Sequence, residues 1–351
     1  MLFATLLTSV CFVSCSDDDD NGGSSSVDNP LQNEAKVQIS SVTCEYSSQW
    51  GGGEEYTYFF EYDSKSRPTA SYQIYDDPDE GPEKEYEFKI DYNKGTMSWD
   101  GPELLRVTFT NKGYIASLKG EYDEKEDGNR YIGKSEMNFS YDKDGHLIKQ
   151  TSLWKVEGIS STYPDDNYKE TETNEFEFTW VNGNLISRTC KGVLIYERNG
   201  ETSTEPYTYT SYFTYGNQPN KYKQYIAYID DETGTLASGL FGVFSQNLPV
   251  TYKETHKEEG YEGTSESNGE FTLNDDGSIK TEAWVENGGS RYYYTYNYQP
   301  IGQRSTMVPA FAKSVVPSKA TSVKEKINKM RRLGRFPYMS KKGFGQANAQ
   351  D

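Results

Sequence analysis

The stretch MNFSYDKDGHLIKQTSL, residues Met137 to Leu153, decides the fold. Met137, Phe139 and Tyr141 alternate with Asn138 and Ser140, the period of two of a half-buried strand. Asp142-Lys143-Asp144-Gly145-His146 follows. Lys143 and Asp144 suit a type I turn, and Gly145 can take the positive φ that closes a three-residue loop with a bulge. This register sets Tyr141 opposite Leu147. A calcium loop is the rival reading of Asp142-x-Asp144-Gly145. It fails because aligning Gly145 to the sixth loop position puts Thr151 where a bidentate Glu belongs.

Variants of this hairpin recur. Tyr62 to Pro68 is a weakened copy, Tyr92 to Met97 reads as a two-residue turn, and Phe109 to Ile115 has the longer loop. Trp180 to Leu185 carries Asn182-Gly183, a strong hairpin signal that pairs Trp180 with Leu185. Leu273 to Ile279 closes the series, and Phe213 to Tyr222 is a degenerate copy. The spacing is too irregular for a solenoid and suits a meander of unequal hairpins. The expected fold class is all-β: an antiparallel meander curved into an open or closed barrel-like sheet. Leu236, Leu240, Phe241, Val243 and Phe244, with Gly239 and Gly242, break the pattern. They read as a short helix or buried turn covering one end of the sheet.

The 351 residues include 30 Tyr, 16 Phe and 5 Trp, yet only 34% are hydrophobic and the net charge is −18. Many aromatics with few aliphatics suit a sheet with one packed and one wet face. They do not suit a lipid-facing barrel, whose strands need an apolar outer band. The acidity argues against nucleic acid as a partner.

Residues 1–15 are uncharged and mostly apolar, too short for a span and suited to the core of a signal peptide. They end in Val13-Ser14-Cys15, which resembles a bacterial lipobox with Cys15 as the lipidated residue. Ser16, Asp17, Asp18, Asp19 and Asp20 follow, resembling the surface-export signal of Bacteroidetes lipoproteins. Residues 16–36 read as an acidic and Gly/Ser-rich tether, 37–300 as the β-domain, and 301–351 as a basic tail. With Cys11 lost and Cys15 lipidated, Cys44 and Cys190 remain; two separate buried thiols are expected rather than a bridge.

The YDKDGHLIK and YDSKSRP segments look like aromatic-Asp-x-x-Gly units of YD-repeat-like chains. Together with the lipobox and the Asp17–Asp20 run, they resemble a family of Bacteroidetes surface lipoproteins with a porin-like β fold. Leu240 to Tyr252 and Tyr292 to Tyr298 look like that family's C-terminal part. The resemblance implies a fold and an outer-membrane, lipid-anchored location facing the exterior. It brings no activity and no site residues.

A search for chemistry finds two His, His146 beside a turn at the surface and His256 in a polar segment. No paired metal spacing, nucleophile elbow, phosphate loop or dinucleotide fingerprint occurs, so no cofactor and no catalytic or metal residue is assigned. Wet-face aromatics can stack on sugars, and Trp50 and Trp154 are the candidate ligand aromatics. The leading reading is a non-enzymatic surface lipoprotein that binds a glycan or protein. The alternatives are a structural envelope component and, third, a carbohydrate-active enzyme. In the tail, eleven Lys or Arg stand against two acids. Ser322 to Glu325 form a capping box, and Val323, Ile327, Met330 and Leu333 follow at helical spacing. A short helix drawn to the acidic β-domain is expected there, rather than one docked on an anionic surface.

Overall fold

A computed structural model describes residues 37–48, 53–77, 81–99, 104–126, 128–160, 167–222, 240–258 and 261–301. The expected tail helix, Trp50 and the segment 1–36 lie outside them. Sixteen strands follow one another: β1 (Val37–Ser47), β2 (Gly53–Tyr62), β3 (Pro68–Asp77), β4 (Gly81–Asp91), β5 (Thr96–Trp99), β6 (Leu104–Phe109), β7 (Ile115–Glu126), β8 (Asn129–Tyr141), β9 (Leu147–Ser160), β10 (Tyr168–Val181), β11 (Asn184–Arg198), β12 (Glu201–Pro219), β13 (Asn247–Glu258), β14 (Tyr261–Leu273), β15 (Ile279–Glu286) and β16 (Arg291–Pro300). Each pairs antiparallel with its sequence neighbours, and β1 pairs with β16, so the meander closes into a barrel. No helix occurs among the described residues.

The hairpin grammar holds. Tyr141 faces Leu147 and Trp180 faces Leu185, each at a register shift. Gly145 and Gly183 have φ of 93° and 71°. Four turns at one end of the barrel share a backbone pattern also found at Glu286–Ser290 at the other end, shown by Asp142 N–H donating to His146 O at 3.0 Å and Gly145 N–H to Asp142 O at 3.1 Å. The others start at Asp63, Thr110 and Asn274. The turn after β4 differs from expectation: Asp91 pairs with Thr96, leaving four residues in the loop, with Gly95 at positive φ. His146 is not at the surface. It is 9% exposed, 2.9 Å from the Asp142 carboxylate, and its ring stacks on Trp180 at 4.3 Å.

Six aromatics near this end of the strands have a second role. Tyr62 donates its hydroxyl to Ile39 O, Tyr92 to Pro68 O and Tyr141 to Ile115 O, at 2.7, 2.9 and 2.7 Å. Trp180 Nε1 donates to Leu147 O, Tyr215 Oη to Leu185 O and Tyr298 Oη to Ile279 O, at 2.8, 2.7 and 2.6 Å. Every one of these six carbonyls belongs to a residue at a register shift on the neighbouring strand. A bulge takes one residue out of the ladder, and a buried carbonyl there needs a new donor. A ring of the next strand or its turn supplies it.

Apart from Glu286–Ser290, these turns lie at one end, where β1 also begins and β16 ends. The chain between β12 and β13 crosses the same end. Ile115 N–H donates to Leu240 O at 2.7 Å, Val243 N–H to Gly145 O at 2.9 Å, and Gln246 N–H to Gly183 O at 3.0 Å. Leu240–Gln246 thus bridges the turns after β6, β8 and β10. It is a buried irregular segment, not a helix. Leu240 and Phe241 join one apolar cluster with Phe88, Met97, Leu118 and Phe176. Phe244 packs against a second, with Val42, Phe60, Phe213 and Trp284.

Inward rings lie flat on the wall wherever their cross-strand partner is glycine: Tyr122 on Gly133, Tyr168 on Gly158, Tyr207 on Gly192 and Trp284 on Gly269. A Cβ at these glycines would sit within 2.0 to 2.7 Å of the ring. Cys44 and Cys190 are separate buried thiols, as expected.

Tyr141→Phe should destabilise the barrel by about 1–3 kcal/mol, because Ile115 O loses a buried donor. Denaturant unfolding of Tyr141→Phe beside the outward Tyr212→Phe checks this. Burial raises the phenol pKa of Tyr62, Tyr141 and Tyr215, with Tyr92 adding to the effect at Tyr62. Raised folded values mean stability that is complete below the unfolded value of about 10 and lost as pH rises above it. Alkaline unfolding by circular dichroism should therefore coincide with a steep step in tyrosinate absorbance rather than follow a gradual titration.

Candidate ligand-binding site

Strands β7–β11 alternate inward apolar or aromatic residues with outward charged ones. Along β8, Gly133, Ser135, Met137 and Phe139 are buried, while Arg130, Lys134 and Asn138 are exposed. The outer wall is laced with ion pairs: Lys119–Glu136 and Lys149–Glu175 at 3.0 Å, and Arg130–Asp123 at 2.5 Å. A bilayer-spanning barrel needs an apolar outward band about 25 Å tall. These strands present the reverse polarity, so their outer face is a water-exposed surface.

Over this wall, near the end opposite the tight turns, lies a trough of about 650 Å³. Two cross-strand rows build it. One runs Glu121, Lys134, Lys155, Thr171; the other runs Asp123, Ile132, Glu157, Lys169, Glu197. Asp123 is gripped by Arg130 through two hydrogen bonds, which hold its carboxyl below the ordinary range. Lys169 lies 3.6 Å from Glu157. Lys134 and Lys155 face each other directly, and among the described residues neither ammonium has an ion-pair partner. Like charges set opposite one another in a sheet are unfavourable unless something else neutralises them. The trough therefore offers two adjacent cations, the Thr171 hydroxyl, an apolar Ile132 and a rim of carboxylates.

The interior holds the other polar groups. Buried Glu172 accepts from Tyr207, whose hydroxyl also lies 2.5 Å from Asn174 Oδ1. Arg188 donates to Ser211, and Tyr252 donates to Glu254 at 2.5 Å. Burial, then the Glu254 charge, raises the Tyr252 pKa. Glu282 accepts from Trp284 Nε1 and Tyr296 Oη. These carboxylates are tied to donors of the wall and knit β10 to β12 and β15 to β16.

Trp154 points inward, 2% exposed, against Tyr122 and Val156. The bulge after Ser140 sets its face, so it lies outside the trough. Cys15, Ser16–Asp20 and Trp50 are outside the described residues. Asp142, Asp144 and His146 bring ligand-type atoms within 4.8 Å of one another. Both Asp142 oxygens are committed to the turn: Oδ1 accepts from Asp144 N–H and His146 N–H, and Oδ2 meets His146 Nδ1. The lysine pair went unnoticed in the sequence, although the hairpin contains its signal. One bulge after Tyr141–Leu147 makes paired residue numbers sum to 289, and 134 and 155 do so.

Neither a protein-family model nor a curated protein matches the chain. Several solved structures are similar to it, and two illustrate the likeness. One is a porin-like protein from Bacteroides uniformis, 14% identical, with 76% of this chain and 99% of that one covered at a TM-score of 0.45. The other is a porin-like protein from Bacteroides vulgatus, 13% identical, with 76% and 100% covered at a TM-score of 0.42.

Proposed function

We propose that the chain is a non-enzymatic surface lipoprotein whose water-exposed barrel binds an acid-bearing glycan in the trough over β7–β11. The observation that carries this reading is the opposed pair Lys134 and Lys155, neither of which forms an ion pair among the described residues. A carboxylate or sulfate group between the two ammoniums would relieve their repulsion, and hydroxyls would meet Thr171 and the carboxylate rim. The volume is that of a small-ligand cleft. The charged outer wall supports attachment through a lipid at Cys15 rather than through strands in the bilayer. The Asp17–Asp20 run supports an outward-facing location in the outer membrane.

Binding of the full chain to a glycan panel tests the ligand. Uronic-acid or sulfated glycans should bind at least tenfold better than their neutral counterparts, and Lys134→Ala/Lys155→Ala should remove that preference. Equal binding of neutral glycans, or an unchanged double variant, would overturn the reading. Silence across the panel, with envelope proteins co-purifying, would replace it with a structural role.

For the location, Cys15→Ala should release the protein from membranes. Replacing Asp17–Asp20 with Ala should hide it from protease added to whole cells. A four-Ala variant that stays cleavable would remove the export signal from the account.

A further inference from the structure

We propose that the turn end of the barrel, over the sector β9–β13, is a docking surface for a lipid bilayer. The barrel then stands on the membrane with its segment-covered end down and its trough end outward. This rests in part on the reading of Cys15 as the anchor.

The chain path comes first. β1 begins and β16 ends at the turn end. Residues 16–36 join Cys15 to β1, and their composition is that of a coil. Such a coil has a root-mean-square reach of about 25 Å, so this end stays closest to the anchor.

Apolar exposure comes second. Six large hydrophobic side chains are exposed among the described residues, and five are on consecutive strands at this end. They are Ile148 (β9), Val181 (β10), Ile186 (β11), Tyr212 (β12) and Val250 (β13), exposed by 36% to 49%. The sixth, Val285, sits at the opposite end of β15. Ile148, Ile186 and Val250 are the residues skipped at three register shifts. A bulge residue leaves the ladder and turns outward, where a polar side chain costs nothing. Lys280 stands at the equivalent place on β15. Branched aliphatics at three such places on one side make a patch suited to the headgroup–acyl boundary, where interfacial elements sink about 5–10 Å.

Charge comes third. Lys65, Lys94, Lys112, Lys143 and Lys221 lie in or beside connections of the turn end. With Arg67 they balance Asp63, Asp91, Asp142, Asp144, Asp275 and Asp276 at the same end, so its described part is near neutral and does not repel an anionic surface.

Trp substitution with brominated lipids tests this on the full chain. In a Cys11→Ser background, with Cys44 and Cys190 buried, the chain is coupled through Cys15 to a maleimide lipid. The vesicles are phosphatidylethanolamine and phosphatidylglycerol, with or without brominated acyl chains. Coupling in this way makes the result independent of natural lipidation, which flotation of cell-produced protein decides separately. The fluorescence added by Ile148→Trp, Ile186→Trp or Val250→Trp should fall at least twofold on brominated vesicles. That added by Val285→Trp should not change. Equal responses at all four positions, stronger quenching at position 285, or no quenching anywhere (as when a second copy covers the patch) would overturn the proposal. Circular dichroism of each variant checks that the barrel is intact.

Discussion

The barrel depends on a bond between hairpins rather than within them. Six bulges at the turn end each strand a carbonyl, and a ring of the following strand or its turn donates to it. In Tyr62–Ile39, Tyr92–Pro68, Tyr141–Ile115, Trp180–Leu147, Tyr215–Leu185 and Tyr298–Ile279 the same contact is made six times. A meander needs some device that fixes hairpin n against hairpin n−1, because strand pairing alone tolerates slippage where the outer face is polar. A buried hydroxyl on a carbonyl supplies it, since a shift by one residue would leave both groups unsatisfied. The recurrence of an aromatic near these turns thus has a structural cause.

Closure of so many strands raises a second difficulty, because a wide barrel leaves space that side chains must fill. Two devices meet it. The segment Leu240–Gln246 crosses the turn end and sends Phe241 into one apolar cluster and Phe244 towards the other. Elsewhere, glycines on the inner wall let the facing rings lie along the sheet. Tyr207 lying over Gly192 is what brings its hydroxyl to Glu172 on β10, across the intervening β11. An interior built largely from Tyr and Trp must satisfy many hydroxyls and indoles. Carboxylates at Glu172, Glu254 and Glu282 receive them. The high Tyr content and low aliphatic content of the chain are two sides of this arrangement.

The sequence carried what is local. Asp-x-x-Gly and Asn-Gly spacings fix turns of a few residues, so the pairings Tyr141–Leu147 and Trp180–Leu185 could be read directly. The all-β meander followed from their repetition, and the Leu240–Phe244 cluster announced a cover by composition alone. What could not be read is carried by contacts between distant residues. Nothing near Tyr141 points to Ile115 O, 26 residues away. His146 looked like a turn residue exposed to water, and only the stack on Trp180 of the next hairpin buries it. Trp154 seemed free to face outward because a bulge reverses the parity of everything beyond it. The four-residue loop after Asp91 was misjudged because Asn93-Lys94 resembles a tighter turn, whereas Tyr92 is drawn off to Pro68.

The same parity argument gives the trough its meaning. Along the outer wall the sheet usually sets opposite charges together, as in Lys119 with Glu136 and Glu157 with Lys169. Where a like pair does occur, Lys125 opposite Arg130, the guanidinium turns to Asp123 and the repulsion is relieved within the chain. Lys134 and Lys155 form no ion pair among the described residues, although Glu121 is paired with Lys134 on the next strand and Glu136 feels its charge. Exposed charges repel only weakly in water, so folding tolerates the pair at a cost of well under about 1 kcal/mol. Arg106 also faces Lys119, which turns to Glu136, and Glu45 faces Glu55; Lys134 and Lys155 are directly opposed cations in a concave surface, with no ion pair on either among the described residues. Local departures from charge matching belong to binding more often than to folding.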